Sequence, residues 1–361
     1  MRIMAPLILP TFRGSTVDVS IIHAGRTSVP TAYVVKTPIA GHDLLDIPCY
    51  SFLIENKKKK QKVLFDLGIR KDWKDKLPPT ILGQIEFAKA VVEVEKDVAD
   101  QLLGADISLE SINAIIWSHH HMDHTGDPSV FPSSTELVVG PGFKAEKTTY
   151  PGYPTNKDAL VTDDAFIGRK VVELDFSNAT TIGGFPALDF FEDGSLYLLK
   201  SNGHTHNHIS ALGRTAENQF ILLGGDVAHH PGEFRPTEHL PLPAEITPSP
   251  LSKVPHPVSS CPASVFEAIS PAKLKGEDAN VTPFYELNAA MNEDLKNAEL
   301  SLKRIFAFDG SSSVLLIVAH DRSLLDILPF FPKKLTDWDM EGYKTTGAWL
   351  FLNDFVKGIN E

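Results

Sequence analysis

Four of the 14 histidines in this 361-residue chain fall at positions 119–124: His119, His120, His121 and His124, with Asp123 among them. In extended backbone, residues two apart face the same way. His119 and His121 can therefore reach one cation while His120 faces elsewhere. Met122 then separates off a second pair, Asp123 and His124. Imidazole nitrogen and carboxylate oxygen are the ligands that zinc takes where no thiolate is available. Histidine clusters also occur on surfaces and in tags, but this one is internal, contains an acid and follows an apolar run.

That run, AIIWS at 114–118, reads as a short buried strand. The mouth of a buried strand is where α/β folds place their chemistry, and Gly126 permits a tight turn beyond it. Upstream, 17–22, 31–35, 49–54 and 62–66 read as strands. ENKKKKQK between the last two is a hairpin turn, and its lysines are a solvated loop. Gly68 suits a sharp strand exit. Residues 80–103 fit a helix with Ile85, Ala88, Val92, Val98 and Leu102 on one face. Further strands are expected at 136–139, 171–175, 187–191, 196–200, 208–213 and 219–224, punctuated by Gly183-Gly184, Asp193-Gly194 and Gly224-Gly225. Nine prolines in the 32 residues 231–262 exclude regular helix or central strand, and the apolar residues running through them point to an extended loop packed over the body. Residues 280–306 read as an amphipathic helix, and 314–318 as a buried strand followed by Ala319-His320-Asp321. This order of elements predicts two sheets faced by helices.

The net charge of −12 disfavours nucleic acid and anionic membranes as partners. A hydrophobic fraction of 42% is enough for a sizeable core. The two cysteines, Cys49 and Cys261, lie far apart in no CxxC spacing, which argues against a disulfide framework and for a reducing compartment. Each reads as a small buried apolar residue. Pro6, Pro10 and Arg13 interrupt the apolar N-terminal stretch MRIMAPLILPTFRG, so no signal peptide is read there. With no apolar run of about 18 residues to span a bilayer, the expected setting is cytoplasmic.

HHHMDHTG carries an HxHxDH pattern and resembles the metallo-β-lactamase superfamily. SNGHTHNHIS (201–210), LLGGDV (222–227) and IVAHD (317–321) resemble the family's later segments, and VLFDLG (63–68) its early strand. The resemblance implies an α/β fold of the αββα four-layer sandwich type. It also implies a single domain over 1–361, with the Pro-rich loop and following helix as an insertion at about 228–310. Carried over residue by residue, His119, His121 and His204 hold one zinc, Asp123, His124 and His320 the other, and Asp226 bridges them. Two Zn2+ per chain would acidify a bridging water to hydroxide, with Asp123 orienting it and passing a proton on. His206 and His208 are alternatives to His204, read instead as residues around the site. His230 is read as a solvated loop residue.

Within that family, the pairing of His119 with His121 disfavours the flavin-linked diiron branch. The main class B β-lactamases use a cysteine near the third segment, where this chain offers Asp226 and neither cysteine is near. Glyoxalase II-type thioesterases carry basic residues near the C-terminus; Lys333, Lys334 and Lys344 are read instead as solvated. The lactonase-like branch is the most similar, but where N-acyl-homoserine lactonases place a tyrosine three residues after the bridging aspartate, this chain has His229. Homoserine lactones are therefore the doubtful substrates; small cyclic esters and amides stay open, with His229 as a second catalytic candidate. A thioesterase is the alternative, and a non-catalytic binding module a weaker one. Asp226 and His320 lie 94 positions apart, and two readings of Phe234, Leu240, Leu242, Phe284, Tyr285 and Met291 in the intervening segment stay open: a roof over a pocket or simple packing of an insertion on the sandwich.

Overall fold

A computed structural model describes residues 7–251 and 259–359. The first six residues of the N-terminal stretch and 252–258 of the Pro-rich segment lie outside the described residues.

The strands in chain order are β1 (Asp18–Pro30), β2 (Leu44–Asn56), β3 (Gln61–Phe65), β4 (Val91–Glu93), β5 (Ala114–Ile116), β6 (Glu136–Val139), β7 (Val171–Glu173), β8 (Thr180–Ile182), β9 (Phe185–Asp189), β10 (Leu196–Lys200), β11 (Ile209–Ala216), β12 (Gln219–Leu223), β13 (Glu245–Ile246), β14 (Cys261–Pro262) and β15 (Val314–Ile317). One sheet runs β4-β1-β2-β3-β5-β6-β7 and the second β15-β12-β11-β10-β9-β8; β13 and β14 form a separate ribbon. Strands β3, β5, β6 and β7 are parallel neighbours, as are β12 and β15.

The period of two explains the layering. In β3, Val63 and Phe65 face the second sheet, while Leu64 faces outward. In β5, Ala114 and Ile116 face in and Ile115 faces out. In β12 and β15, Ile221, Leu223, Leu315 and Ile317 fill the space between the sheets, and Phe220, Leu222, Val314 and Leu316 the opposite face. Helix Val98–Gly104 covers the outer face of the first sheet through Val98 and Leu102. Helix Leu295–Gly310 covers that of the second through Ala298, Leu302, Ile305 and Phe308. The result is the αββα sandwich. Strands buried on both faces carry continuous apolar runs, and each buried Val, Leu or Ile contributes about 1.5–3 kcal/mol, so the loops leaving β5, β12 and β15 hang from the best-anchored parts of the chain.

Three expected elements differ. Residues 31–35 form a helical turn, Thr31–Val34, rather than a strand, because β1 already extends to Pro30, where it pairs with Leu44. The 80–103 helix is broken into Pro79–Phe87, β4 and Val98–Gly104. Lys89 takes left-handed backbone (φ 52°) between the first two, and the Asp97 carboxylate caps the last by accepting the Asp100 N–H at 2.8 Å. The 280–306 helix starts only at Leu295 and runs on to Gly310. Asn288 and Asp294 accept backbone N–H groups from Ala290 and Asn297, offering the backbone a cap in place of helix continuation.

Candidate metal centre

Four loops, the first carrying a short helical turn, meet at one edge of the sandwich. The first loop leaves β5. His121 still has extended backbone at the head of the helical turn Met122–Thr125, so His119 and His121 share a side and the turn swings Asp123 and His124 round to it. Trp117 Nε1–H donates to Thr125 O (3.1 Å), Leu67 N–H to His124 O (2.8 Å) and Gly126 N–H to Gly68 O (2.9 Å), so the loop is fastened at both ends. Gly126 has φ 49°, and a Cβ there would lie 2.4 Å from that of Leu67; only glycine fits. The second loop joins β10 to β11 and carries His204. The third follows β12 and carries Asp226 and His229. The last follows β15 and carries His320, tied to the third by Ala319 N–H to Gly225 O at 3.1 Å.

Asp226 lies at the middle of the cluster. Its Oδ2 is 3.7 Å from His119 Nε2, 3.4 Å from His204 Nε2 and 3.3 Å from His229 Nε2. Its Oδ1 is 3.1 Å from both His124 Nε2 and His320 Nε2. His121 Nδ1 is 3.0 Å from His204 Nε2, and Asp123 Oδ2 is 3.7 Å from His320 Nε2. The donor atoms fall into two groups that share Asp226: His119, His121 and His204 with one side, and His124 and His320 with the other. Cys49, Asp123 and His320 form a third group overlapping the second.

The donor set fits a cation on two grounds. His119 Nε2, His124 Nε2 and Asp226 Oδ1 are buried with no hydrogen-bond partner, and each such atom costs about 1–3 kcal/mol if nothing pairs it. The far side of each ring is also fixed. His124 Nδ1 faces Asp66 Oδ2 at 2.9 Å, and His320 Nδ1–H donates to Pro48 O at 2.8 Å, so both present Nε2 inward. Burial works against the charge of Asp226, but His124, His320 and His229 hold its carboxyl well below the ordinary range. Burial likewise works against charge on His124 and His320, yet Asp226 raises both well above the usual imidazole range. Burial and neighbouring imidazoles hold His119 and His204 well below it and His121 at about 3. Burial pushes the Cys49 thiol up to about 12.

His208 sits behind the cluster. Its Nε2 accepts the Asp226 N–H at 2.9 Å and its Nδ1 faces Ser201 O at 3.0 Å, so it positions Asp226. His206 is exposed and bonded to Glu293. His120 is buried against Asn207 and Glu293, outside both donor groups. His230 is a correction: it is buried, accepting the Gly232 N–H at Nδ1 and facing Asp354 at 3.3 Å, because the Pro231–Glu233 turn folds it inward. Sequence reasoning missed Asp66, which also accepts the Ser118 N–H at 2.6 Å. The acid at the end of VLFDLG was the available signal. It also missed Glu233, wholly buried, whose Oε2 accepts the His229 N–H at 2.6 Å and lies 3.9 Å from His229 Nδ1.

A cleft of about 470 Å³ opens onto Asp123, His204, Asp226, His229 and His320. Its apolar wall comes from Tyr33, Val34, Ile47, Ile81, Ile85 and Met122. Of the six residues for which a pocket roof and simple packing both stayed open, Met291 alone lines it. Leu242, Phe284 and Tyr285 are instead buried with Phe351 and Phe355, and Leu240 packs against them; Phe234 joins the second sheet's outer layer. The segment 79–92, not the Pro-rich stretch, supplies the facing wall.

Residues 45–259 match the family model of the Metallo-beta-lactamase superfamily. The chain belongs to that superfamily. It is 40% identical to the gamma-lactamase FDB1 of Fusarium pseudograminearum, across 99% of this chain and 86% of that one. It is 38% identical to the metallo-hydrolase mfmC of Annulohypoxylon moriforme, across 96% and 89%. A solved N-acyl homoserine lactone hydrolase, with N-hexanoyl-L-homoserine bound at its catalytic metal centre, has a TM-score of 0.57 at 15% identity, covering 89% of this chain and 99% of that chain; this is a likeness of fold. By family this superfamily chain is a metal-dependent hydrolase, with relatives that act on small molecules. Among the described residues no helix is long and apolar enough to cross a membrane.

Proposed function

We propose that the chain hydrolyses a small cyclic ester or amide with two zinc ions per chain, one on His119, His121 and His204, the other on Asp123, His124 and His320, and both on Asp226. The observation that carries this is the division of the donor atoms into two groups sharing the Asp226 carboxylate. Bound there, the metal pair supplies Lewis acidity for the carbonyl oxygen and an acidified water as nucleophile.

The chain's own residues do the rest. Asp123 borders the cleft and keeps carboxylate capacity beyond one metal contact, so it takes a proton from the attacking water and delivers it to the leaving oxygen or nitrogen. His229 also borders the cleft, its Nε2 3.3 Å from Asp226 Oδ2 and its ring stacked parallel to His320 at 6.0 Å. Both its nitrogens lack hydrogen-bond partners, which leaves it free to donate to the substrate carbonyl in the place of the family's tyrosine. The cleft volume suits a small molecule, and its apolar wall excludes water from one face of the ring being opened. Relatives bearing the γ-lactamase name favour the cyclic amide. Residues 1–361 act as one domain on this reading, with 228–310 as its insertion, from which His229 and residues 290–293 reach the cleft.

The test is a panel of aromatic and alkyl γ-lactones, γ-lactams and thioesters offered to zinc-loaded protein, with products read by mass. Gain of one water by a cyclic substrate, lost in Asp123→Ala, is the expected result. Turnover of thioesters alone would transfer the chain to the acyl-thioester class, and binding without turnover would make it a binding module.

A further inference from the structure

The two cysteines occupy different chemical settings. Cys261 packs in an apolar cluster with Ile246, Phe266 and Phe284. Cys49 is equally buried and free but belongs to none of the four apolar clusters of the described residues. A buried thiol ordinarily packs as a small apolar residue; Cys49 has the polar groups of Asp123 and His320 as neighbours instead. Its Sγ and the facing atoms of Asp123 and His320 all lie within 4.8 Å of one another. Its remaining contact, Ile47 O at 4.0 Å, is at the limit of a sulfur hydrogen bond.

We propose that Cys49 is a further metal-ligating residue, its thiolate joining Asp123 and His320 around the cation on the His124–Asp226–His320 side. The proposal rests on the paired-metal reading above. Two features of the backbone place the sulfur. Strand β2 is held against the last loop by the Tyr50 N–H bond to Ala319 O at 3.1 Å, and Pro48 O, one residue before Cys49, fixes the His320 ring by accepting from its Nδ1–H. The same peptide segment thus orients one ligand and offers another. A second pointer is Asp226 Oδ1, buried, without a hydrogen-bond partner and 3.1 Å from His320 Nε2: the donor group it belongs to adjoins that of Cys49 through their shared His320.

Binding involves no redox change. The S–H proton leaves to bulk water, and the electron pair it frees goes to the cation. A thiolate added to nitrogen and carboxylate donors selects a borderline-soft divalent ion, zinc or cobalt, over magnesium or manganese. It also adds negative charge to one side of the pair, making the two ions inequivalent. The sequence gives no hint of this, because Cys49 lies 70 positions before His119 and in no ligand motif.

The experiment loads the full chain, as the Cys261→Ser variant, with cobalt(II), so that any thiolate signal comes from Cys49. Visible cobalt bands report the imidazole-carboxylate site, and a near-ultraviolet sulfur-to-cobalt charge-transfer band reports the thiolate. The expected spectrum has both, and adding Cys49→Ala abolishes the charge-transfer band while the visible bands persist. Visible bands without a charge-transfer band in Cys261→Ser would overturn the ligand assignment and leave the paired-metal reading standing. Failure to take up any cobalt would overturn both. The Cys261→Ser spectrum decides the matter even if the double variant does not fold.

Discussion

Among the described residues there are two buried clusters of histidine and aspartate, and of these two one has the makings of a metal centre. The second joins His42, His230 and Asp354, whose facing atoms also lie within 4.8 Å of one another. There, His42 Nδ1 is 2.6 Å from the Tyr285 hydroxyl, His230 Nδ1 accepts the Gly232 N–H, and His230 Nε2 faces Asp354. Phe351 and Phe355 pack around the rings. With Nδ1 of His230 already an acceptor, its one proton sits on Nε2 and points at the carboxylate, so no lone pair is left for a cation. At the Asp226 cluster the situation is reversed: outer nitrogens of His124 and His320 are tied to Asp66 and Pro48, and the inner ones face only other donor groups of the cluster, Asp226, Asp123 and, for His320, Cys49. Proximity of residue types is shared by both clusters. What separates them is whether the inner donor atoms already have partners.

The largest expected effect that sharpens this contrast is Asp226→Ala, which removes the atom common to both donor groups: metal content should fall to near zero and turnover to background, read by elemental analysis and product mass. Retention of full metal would break the comparison. His229→Gln should lower kcat about 10²–10⁴-fold with metal content unchanged; loss of metal instead would make His229 a ligand. Asp66→Asn, which weakens the acceptor behind His124, should weaken metal binding about 10–100-fold, measured by competition with a chelator. At the other cluster Asp354→Asn should leave metal content untouched and cost on the order of 1–3 kcal/mol of stability, read from urea unfolding.

The smallest effect concerns pH. Burial, then His230, lowers His42 from 6.5 to about 4. Between those values the unfolded chain takes up a proton that the folded chain refuses, so this contribution to stability is intact above pH 6.5 and lost as pH falls towards 4. From pH 7 to pH 5 it amounts to about 2 kcal/mol, and His42→Gln should flatten the slope of metal-free protein by that amount. An unchanged slope would mean that His42 is not held neutral.

The legible parts of the sequence were those where one short segment carries both pattern and chemistry. HHHMDHTG could be read because extended backbone and a single helical turn are local features, and the two-sided strands because their apolar runs are continuous. His204, Asp226 and His320 came from resemblance rather than spacing, since no local rule joins residues on four separate loops. Tertiary relations were not legible. Residues 31–35 have strand composition, yet the chain must leave the sheet there. The Pro-rich stretch has the apolar residues of a pocket roof, but Leu240 and Leu242 pack with Phe351 and Phe355, far along the chain, and Phe234 with the second sheet. Asp66 acts through the far side of the His124 ring and Glu233 through the backbone N–H groups of His229 and His230, contacts that only the folded chain creates.

On the proposed reading, the inner faces of the Asp226 cluster hold a pair of cations. The most direct measurement is the metal content of the chain purified without added metal, by plasma emission spectroscopy. About two zinc ions per chain is the predicted result. No metal on purification and no uptake when zinc is supplied would contradict it.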